Sequence, residues 1–238
     1  MRPEQLKGDA RAAYVQRMFA QIARRYDLMN RLMTAGQDVR WRREVVQRAA
    51  LPPGGSLLDL GTGTGDLALE ARRQEPHSRL VAADFTLAMM GVGQSRLRQR
   101  GLPALDWCGA DALCLPFPDE QFDAVISGFL LRNVADLPQA LREQRRVLKP
   151  GGRIVILDTT RPRQNIWTPF ISVHLKFIIP TLGRLVSGHR QAYAYLPDST
   201  QAFLTAEDLA EHLANCGFCQ VGFRRLMWDT VAVHWGVK

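Results

Sequence analysis

Residues 56–66, which read Ser-Leu-Leu-Asp-Leu-Gly-Thr-Gly-Thr-Gly-Asp, decide the fold class. The run at 56–60 is short and apolar, and three alternating glycines follow it. The next segment, 66–74, has apolar residues at helical spacing. Glycines ahead of a helix let the backbone approach a ligand closely, and the free N–H groups of the first helical turn attract a carboxylate or a phosphate. The stretch therefore predicts a buried strand, a ligand-binding loop and a helix, in that order.

The spacing of these glycines excludes two common phosphate-binding loops. A dinucleotide fingerprint, G-x-G-x-x-G, would need its third glycine at position 66, where the chain has Asp66. A P-loop would need Gly-Lys-Ser/Thr, which does not follow. The pattern is instead G-x-G-x-G, formed by Gly61, Gly63 and Gly65, with Asp59 two residues before the first glycine. The nature of the ligand then depends on polar residues further along the chain.

Short apolar runs alternate with amphipathic stretches to about residue 160, which predicts parallel βαβ units. Two more strands are expected to form an antiparallel pair near the end of the chain. The fold class is therefore α/β, with a doubly wound, Rossmann-like sheet of seven strands. The predicted strands are 56–60, 79–84, 105–108, 122–127, 153–157, 218–226 and 230–235, and the predicted core helices are 66–74, 87–98 and 137–148.

The chain has no internal repeat and no long linker, so a single domain, 1–238, is expected. Residues 1–50 are predicted to form N-terminal helices, and residues 51–160 the ligand-binding core. Residues 161–197 hold four prolines among apolar clusters and are too long for a plain connection, which predicts a helical insertion or lid. In the last segment, 198–238, a helix capped by Thr205 is expected to precede the final strands.

Composition limits the class of protein and the compartment. The chain has 238 residues, of which 46% are hydrophobic and 23% charged, as in an average soluble globular protein. No uncharged apolar stretch reaches the roughly 20 residues that a transmembrane helix needs. Four scattered cysteines and no recognisable signal sequence favour a reducing cytoplasm.

The formal net charge of +8 is concentrated in two segments. Residues 1–48 hold eleven Lys and Arg against five acids, and residues 159–197 hold five against none. Such segments fit an anionic membrane surface, a nucleic acid or merely solvated charge. RNA binding predicts basic residues interleaved with stacking aromatics, whereas the aromatics of the second segment lie among aliphatic residues, which favours lipid or core packing.

Two acidic positions follow later strands of the predicted sheet. Asp84 ends the second strand, 19 residues after Gly65, where a doubly wound fold brings a carboxylate to ribose hydroxyls. Asp111 and Ala112 follow the third strand, where they can reach an adenine. Together with the glycine loop, these residues resemble the nucleoside site of class I S-adenosylmethionine-dependent methyltransferases. The resemblance implies S-adenosylmethionine as the cofactor.

Segments outside the core resemble a narrower family, the quinone C-methyltransferases of menaquinone and ubiquinone synthesis. The matching segments are Tyr26–Asn30, Leu131–Val134, Arg146–Arg153, Ala192–Ser199 and Val231–His234. The chain also departs from the family pattern. Thr34, Asp158 and Thr160 stand where Ser, Glu and Ser are usual, Asp38 stands where His is usual, and Met227–Thr230 replaces a typical Thr-Gly-Gly-Ile.

By this resemblance, the residues that contact S-adenosylmethionine are Thr64, Asp84, Asp111, Ala112 and Ser127, in addition to Asp59 and the three glycines of the loop. Asp84 would accept hydrogen bonds from the ribose, Asp111 from the adenine amino group, and the Ala112 N–H would donate to a ring nitrogen. Thr64 and Ser127 would supply hydroxyls near the methionyl part, although the Ser127 hydroxyl could instead satisfy its own turn.

Methylation of a hydroquinone carbon requires a neighbouring phenolate, and a free phenol has a pKa near 10. We expect Arg132 to stabilise that phenolate, directly or through a water, unless it serves only as a structural ion pair. Asn133 would orient a ring oxygen, and the proton acceptor would be His189, Tyr195 or a water. No metal is expected, because Cys216 and Cys219 lack the two further ligands that zinc requires.

The implied reaction converts demethylmenaquinol to menaquinol. A ubiquinone precursor, another small molecule, RNA, and a methyltransferase-like scaffold without activity remain as alternatives. A prenylated quinol lies in the membrane, so the basic segments predict a cytoplasmic protein that contacts the membrane surface peripherally. No nucleic-acid partner is expected, and a homodimer is left open.

Overall fold

The computed structural model describes residues 8–162 and 203–238, so nearly all of the predicted insertion lies outside the described residues. Within these ranges, two N-terminal helices precede a core in which strands and helices alternate. The elements, in chain order, are α1 (Gly8–Met33), α2 (Asp38–Ala49), β1 (Ser56–Leu60), α3 (Asp66–Gln74), β2 (Arg79–Asp84), α4 (Leu87–Gln99), β3 (Asp106–Gly109), β4 (Phe122–Gly128), a 3₁₀ turn (Leu131–Asn133), α5 (Leu137–Val147), β5 (Leu148–Thr159), α6 (Ala206–Asn215), β6 (Cys219–Leu226) and β7 (Val231–Val237).

The strands of the described residues form one seven-stranded sheet in the order β3-β2-β1-β4-β5-β7-β6. Strands β1 to β5 are parallel to their neighbours, and β7 pairs antiparallel with both β5 and β6. The chain moves outward from β1 through β2 to β3 and then returns to place β4 on the other side of β1. The prediction of an α/β fold with a doubly wound sheet is confirmed, and its switch point lies between β1 and β4.

The core lies on both faces of this sheet. One layer packs α2 and α3 against the sheet through residues such as Trp41, Val45 and Leu67. The other layer packs α5 and α6 through Leu141, Leu148 and Leu209. Because helices cover both faces, the central parallel strands are buried along nearly their whole length, as four of the five residues of β1 show.

Local signals set the ends of several helices. The Thr205 side chain accepts from the Asp208 N–H, and the Asp208 carboxylate accepts from the Thr205 N–H, which forms a capping box at the start of α6. Asp136 caps α5 by accepting from the Gln139 N–H at 2.9 Å. These capped boundaries lie within one residue of their predicted positions.

The predicted start of the fifth strand, at residue 153, is wrong. In the structure β5 begins at Leu148 and passes through the Pro-Gly-Gly segment at 150–152. The cause is a partner remote in sequence: the Gly151 N–H donates to the Lys238 carbonyl at 3.0 Å, and the Lys238 N–H donates to the Gly152 carbonyl at 2.9 Å. The C-terminal residue therefore draws this segment into the sheet.

No helix among the described residues is both long enough and apolar enough to cross a membrane. The division into one domain with an insertion stays a prediction.

Candidate functional site

A cavity opens at the carboxyl ends of the central strands, where the strand order reverses. It encloses about 1330 Å³, including its open mouth. Its lining has two parts, which we call the loop wall and the helix wall. The loop wall consists of lining residues in the segments 59–67, 84–89 and 110–113. The helix wall consists of residues 128–130 and 133–135, together with Val15, Gln16, Phe19, Tyr26, Asn30 and Arg42.

The glycine loop forms the base of the loop wall. Gly61, Gly63 and Gly65 all have positive φ angles, of 68°, 56° and 81°. A side chain at Gly65 would also collide with the ring of Trp107, since a Cβ there would lie 2.9 Å from the ring. The loop can therefore turn back toward the cavity only because these positions are glycine.

Asp59 lies beneath this loop and is fully buried. Its Oδ2 accepts from the Thr62 hydroxyl at 2.6 Å and from the Ala68 N–H at 2.9 Å, which ties the two ends of the loop together. Oδ1 accepts no hydrogen bond from any described residue. Burial raises the pKa of the Asp59 carboxyl to about 7, although these two hydrogen bonds oppose the shift.

Asp84 joins the glycine loop to the end of β2. Its Oδ2 accepts from the Gly63 N–H at 2.7 Å, and its Oδ1 accepts from the Thr86 N–H at 2.6 Å. Burial raises the pKa of Asp84, and the two backbone donors oppose the shift. The carboxylate lines the cavity, as the sequence predicts for a group that meets ribose hydroxyls.

Asp111 and Ala112 form the far end of the loop wall, after β3. The Asp111 Oδ1 accepts from the Leu113 N–H at 2.9 Å, which holds the segment in a tight turn. The structure thus brings seven of the predicted cofactor residues to one cavity: Asp59, Gly61, Gly63, Thr64, Asp84, Asp111 and Ala112.

Two predicted cofactor residues do not line the cavity. Gly65 lies behind the loop, where it begins α3 and contacts Trp107. Ser127 is fully buried in β4, between Leu60 of β1 and Ile156 of β5. The expectation that its hydroxyl approaches the methionyl part does not match this position, because the adjacent residue, Gly128, reaches the cavity instead.

Arg132 does not line the cavity either. Its side chain is 3% exposed, and its Nη1 donates to the Asp158 Oδ1 at 2.7 Å. The other oxygen of Asp158 accepts from the Leu131 N–H at 2.8 Å. Arg132 was predicted to stabilise a phenolate directly or through a water; in the structure its side chain forms the buried ion pair that the sequence left as the alternative.

Asn133, by contrast, lines the helix wall. Its Nδ2 donates to the Phe129 carbonyl at 3.0 Å. The other two predicted catalytic residues, His189 and Tyr195, lie outside the described residues.

Sequence reasoning missed the contribution of α1 to the cavity. Phe19, which lies at helical spacing with Met18 and Ile22, lines the cavity with Tyr26 and Asn30. Burial raises the pKa of the Tyr26 phenol, whereas the charge of Arg132 and a hydrogen bond with Asn30 lower it. The spacing shows which face of α1 turns inward, but it does not show whether that face meets a core or a cavity.

Comparisons with known proteins give the same picture over most of the chain. The model of the ubiE/COQ5 methyltransferase family matches residues 7–238. The chain belongs to this family. It is 47% identical, over 94% of its length and 90% of the relative, to the "Ubiquinone/menaquinone biosynthesis C-methyltransferase UbiE" of Desulfotalea psychrophila. It is 41% identical to the "Demethylmenaquinone methyltransferase" of Roseiflexus castenholzii, over 97% of this chain and 95% of that one.

The fold is also that of solved methyltransferases. A SAM-dependent methyltransferase from Aquifex aeolicus superposes with a TM-score of 0.60 at 17% identity, covering 82% of this chain and 88% of that chain. At this identity, the likeness concerns the fold alone.

The structure explains one departure from the family pattern. Asp38, which replaces the usual His, is fully buried and accepts from the Thr34 hydroxyl at 3.0 Å. It also forms an ion pair with Arg42, whose Nη2 lies 2.8 Å from the Asp66 Oδ2 at the start of α3. In this member of the ubiE/COQ5 family, Asp38 therefore does not line the cavity itself but pairs with Arg42, which does.

The second departure lies outside the lining. Trp228 and Asp229 are in the turn between β6 and β7, and Trp228 is half exposed. Nothing in the structure connects them to the choice of acceptor.

Among residues 8–162 and 203–238, no three His, Cys, Asp or Glu side chains are grouped as metal ligands. The Cys216 thiol contacts the Pro138 carbonyl, and the Cys219 thiol contacts the Val237 carbonyl.

Proposed function

We propose that the protein methylates a ring carbon of a reduced, prenylated quinone, with S-adenosylmethionine as the methyl donor and demethylmenaquinol as the acceptor. One observation carries the proposal: a single cavity joins a loop wall suited to a nucleoside with a helix wall suited to an aromatic ring. The names of the relatives support the quinone as the acceptor.

The loop wall fits the cofactor in three respects. Its glycines place no side chain where the cofactor would lie, and Asp84 offers a carboxylate at the end of β2. The buried Asp59 Oδ1 accepts no hydrogen bond from the described residues. Asp84 would hold the ribose, Asp111 and Ala112 the adenine, and Thr64 the methionyl part. When bound, S-adenosylmethionine supplies a methyl group that its positive sulfur makes electrophilic.

The helix wall would hold the acceptor ring and exclude water from it. Phe19, Phe129 and Leu130 are apolar, while Tyr26, Asn30 and Asn133 provide polar atoms for the ring oxygens. Holding a ring against the methyl group converts a bimolecular encounter into an oriented displacement. The ring carbon gains a bond to the methyl carbon as the S–C bond breaks, and it then loses its proton to restore the aromatic ring.

The ring carbon reacts when a neighbouring phenol has lost its proton, so positive potential near that oxygen favours the reaction. Arg132 supplies such potential at a distance, because its charge reaches Tyr26 in the lining and lowers the pKa of that phenol against the effect of burial. Asn133 would orient a ring oxygen. The proton would pass to His189, Tyr195 or a water.

We also propose that the protein works on the cytoplasmic side of a membrane and contacts the lipid surface peripherally. The basic charge of residues 1–48 and 159–197 supports this, because anionic lipid attracts such segments. On α1, Leu28 and Leu32 are 54% and 41% exposed, which suits insertion among lipid headgroups.

Sedimentation of the purified protein distinguishes a monomer from the homodimer that the sequence leaves open.

The test is methyl transfer from labelled S-adenosylmethionine to a short-tailed demethylmenaquinol kept reduced. The oxidised quinone and a reduced ubiquinone precursor are assayed in parallel. We expect label only in reduced rings and faster transfer to demethylmenaquinol. An Asp84→Ala variant controls for transfer without bound cofactor. If calorimetry shows cofactor binding but neither ring gains label, the proposed acceptor is wrong.

A further inference from the structure

The position of α1 determines where Tyr26 and Asn30 stand in the cavity. This helix lies outside the sheet, so no strand ladder fixes it relative to the glycine loop. Side-chain contacts must therefore fix the position of α1 relative to the glycine loop.

Asp27, the residue after Tyr26, makes such contacts with both carboxylate oxygens. Its Oδ1 accepts from the Thr64 hydroxyl in the glycine loop, and its Oδ2 lies 2.7 Å from the Arg96 Nη1. The same Nη1 donates to the Thr64 carbonyl at 2.9 Å. Asp27, Thr64 and Arg96 thus form a closed triangle of hydrogen bonds that joins α1, the glycine loop and α4.

The second arm of Arg96 extends this triangle. Its Nη2 pairs with the Asp66 Oδ1, and the Asp66 Oδ2 pairs with Arg42 of α2. Asp66 is the first residue of α3, so one chain of ion pairs connects both N-terminal helices to the element that follows the glycine loop. The side chains of Asp27 and Arg96 are 24% and 17% exposed, which shields their ion pair from much of the screening by solvent.

We propose that Asp27 and Arg96 are positioning residues for methyl transfer, which hold Tyr26 and Asn30 at a set distance from the glycine loop. Neither residue lines the cavity, so they act through the side chains that do. The inference rests on the proposed function, because the distance matters only if the two walls hold two reactants. Burial and the nearby Asp66 raise the pKa of Asp27, whereas the hydrogen bond from Thr64 and the charges of Arg96 and Arg42 oppose the shift.

The experiment is a comparison of Asp27→Ala in two backgrounds, with the labelled-methyl assay and a short-tailed demethylmenaquinol. In the otherwise native protein we expect kcat/KM for the quinol to fall at least 20-fold. In a Tyr26→Phe/Asn30→Ala background, where the groups to be positioned are gone, the same substitution should lower kcat/KM less than threefold. Affinity for S-adenosylhomocysteine, measured by calorimetry, should change less than threefold.

Asp123→Ala is the matched control. Asp123 is a carboxylate of similar side-chain exposure, 21%, which bonds to Lys149 and Ser56 at the amino end of β4, away from the cavity. We expect its substitution to leave kcat/KM within twofold in both backgrounds. Equal losses from Asp27→Ala in the two backgrounds would overturn the inference, because they would show a general structural effect.

A second measurement needs no substrate. Hydrogen exchange of the backbone amides in residues 19–33 should be at least tenfold faster in Asp27→Ala than in Asp123→Ala. Unchanged exchange would contradict the proposal. If the native protein transfers no methyl group to any quinol, the proposed function fails, and the exchange rates still decide whether Asp27 holds α1.

Discussion

The two walls of the cavity are built by different means. The loop wall is attached to the sheet: Asp59, Asp84 and Asp111 lie at or just beyond the ends of three adjacent parallel strands. The helix wall is attached by side chains, with Asp27 pairing to Arg96 and Arg132 pairing to Asp158. Many backbone hydrogen bonds hold the loop wall in position, whereas each attachment of the helix wall depends on a single ion pair. The helix wall should therefore be the more vulnerable to single substitutions.

The largest effect is expected for Arg132→Met, in the ion pair that supports the helix wall. This variant leaves the Asp158 carboxylate buried without its guanidinium, since the Asp158 side chain is 0% exposed. Loss of one partner of a buried pair costs about 3–5 kcal/mol. Urea unfolding should show a reduction of that order in the free energy of unfolding.

The double variant Arg132→Met/Asp158→Leu separates this structural cost from catalysis. Removing both charges should recover at least half of the lost stability. Methyl transfer should stay low in the double variant, because the positive potential near the acceptor is still missing. If stability and turnover recover together, Arg132 has no electrostatic role in the reaction.

The next effect concerns pH and belongs to the loop wall. The pKa of Asp59 is about 7 in the folded protein and 3.8 without the protein environment, so the folded state holds this proton more tightly. The stability from the protonated form is complete below about pH 4 and is lost as pH rises toward 7. In Asp59→Asn this dependence is absent, so its stability relative to the native protein should increase by about 2–4 kcal/mol between pH 4 and 8. A difference that stays constant in urea unfolding at several pH values would contradict the shift.

A smaller effect is expected for Gly65→Ala, directly behind the loop wall. The residue has a φ of 81°, and its added Cβ would meet the Trp107 ring. We expect a loss of about 2 kcal/mol and weaker binding of S-adenosylhomocysteine by calorimetry. Gly54→Ala is the matched control, with a φ of 72° and nothing within 4 Å of the added Cβ. It should cost about 1 kcal/mol and leave cofactor affinity unchanged.

The contrast between the walls also explains what the sequence could predict. Glycine spacing and strand-end acids are local patterns, and of the nine cofactor residues indicated by these patterns together with the family resemblance, seven line the cavity. Ser127, which the resemblance indicated, does not line the cavity, because a one-residue difference along β4 decides which residue reaches it.

The helix wall was less predictable because its geometry depends on pairs remote in sequence. The acid that pairs with Arg132, Asp158, lies on the neighbouring strand, and the partners of Asp27 are at 64 and 96. No local pattern links such positions. The same holds for β5, whose early start depends on Lys238 at the far end of the chain.

The smallest effect is expected outside both walls, in the turn between β6 and β7. Met227, Trp228 and Asp229 have consecutive positive φ angles of 46°, 52° and 64°, where the family usually has two glycines. Asp tolerates this conformation better than most residues, so the strain to be released is modest. Asp229→Gly should stabilise the protein by about 0.5–1 kcal/mol in urea unfolding.

Asp229→Ala distinguishes relief of strain from loss of the carboxylate. Alanine keeps the Cβ that opposes a positive φ, so this variant should be no more stable than the native protein, whereas glycine removes it. Methyl transfer should be unchanged in both variants, because no residue of the turn lines the cavity. If Asp229→Gly instead lowers kcat/KM for the quinol, the helix wall extends to this turn, and the exposed Trp228 becomes the side chain through which it acts.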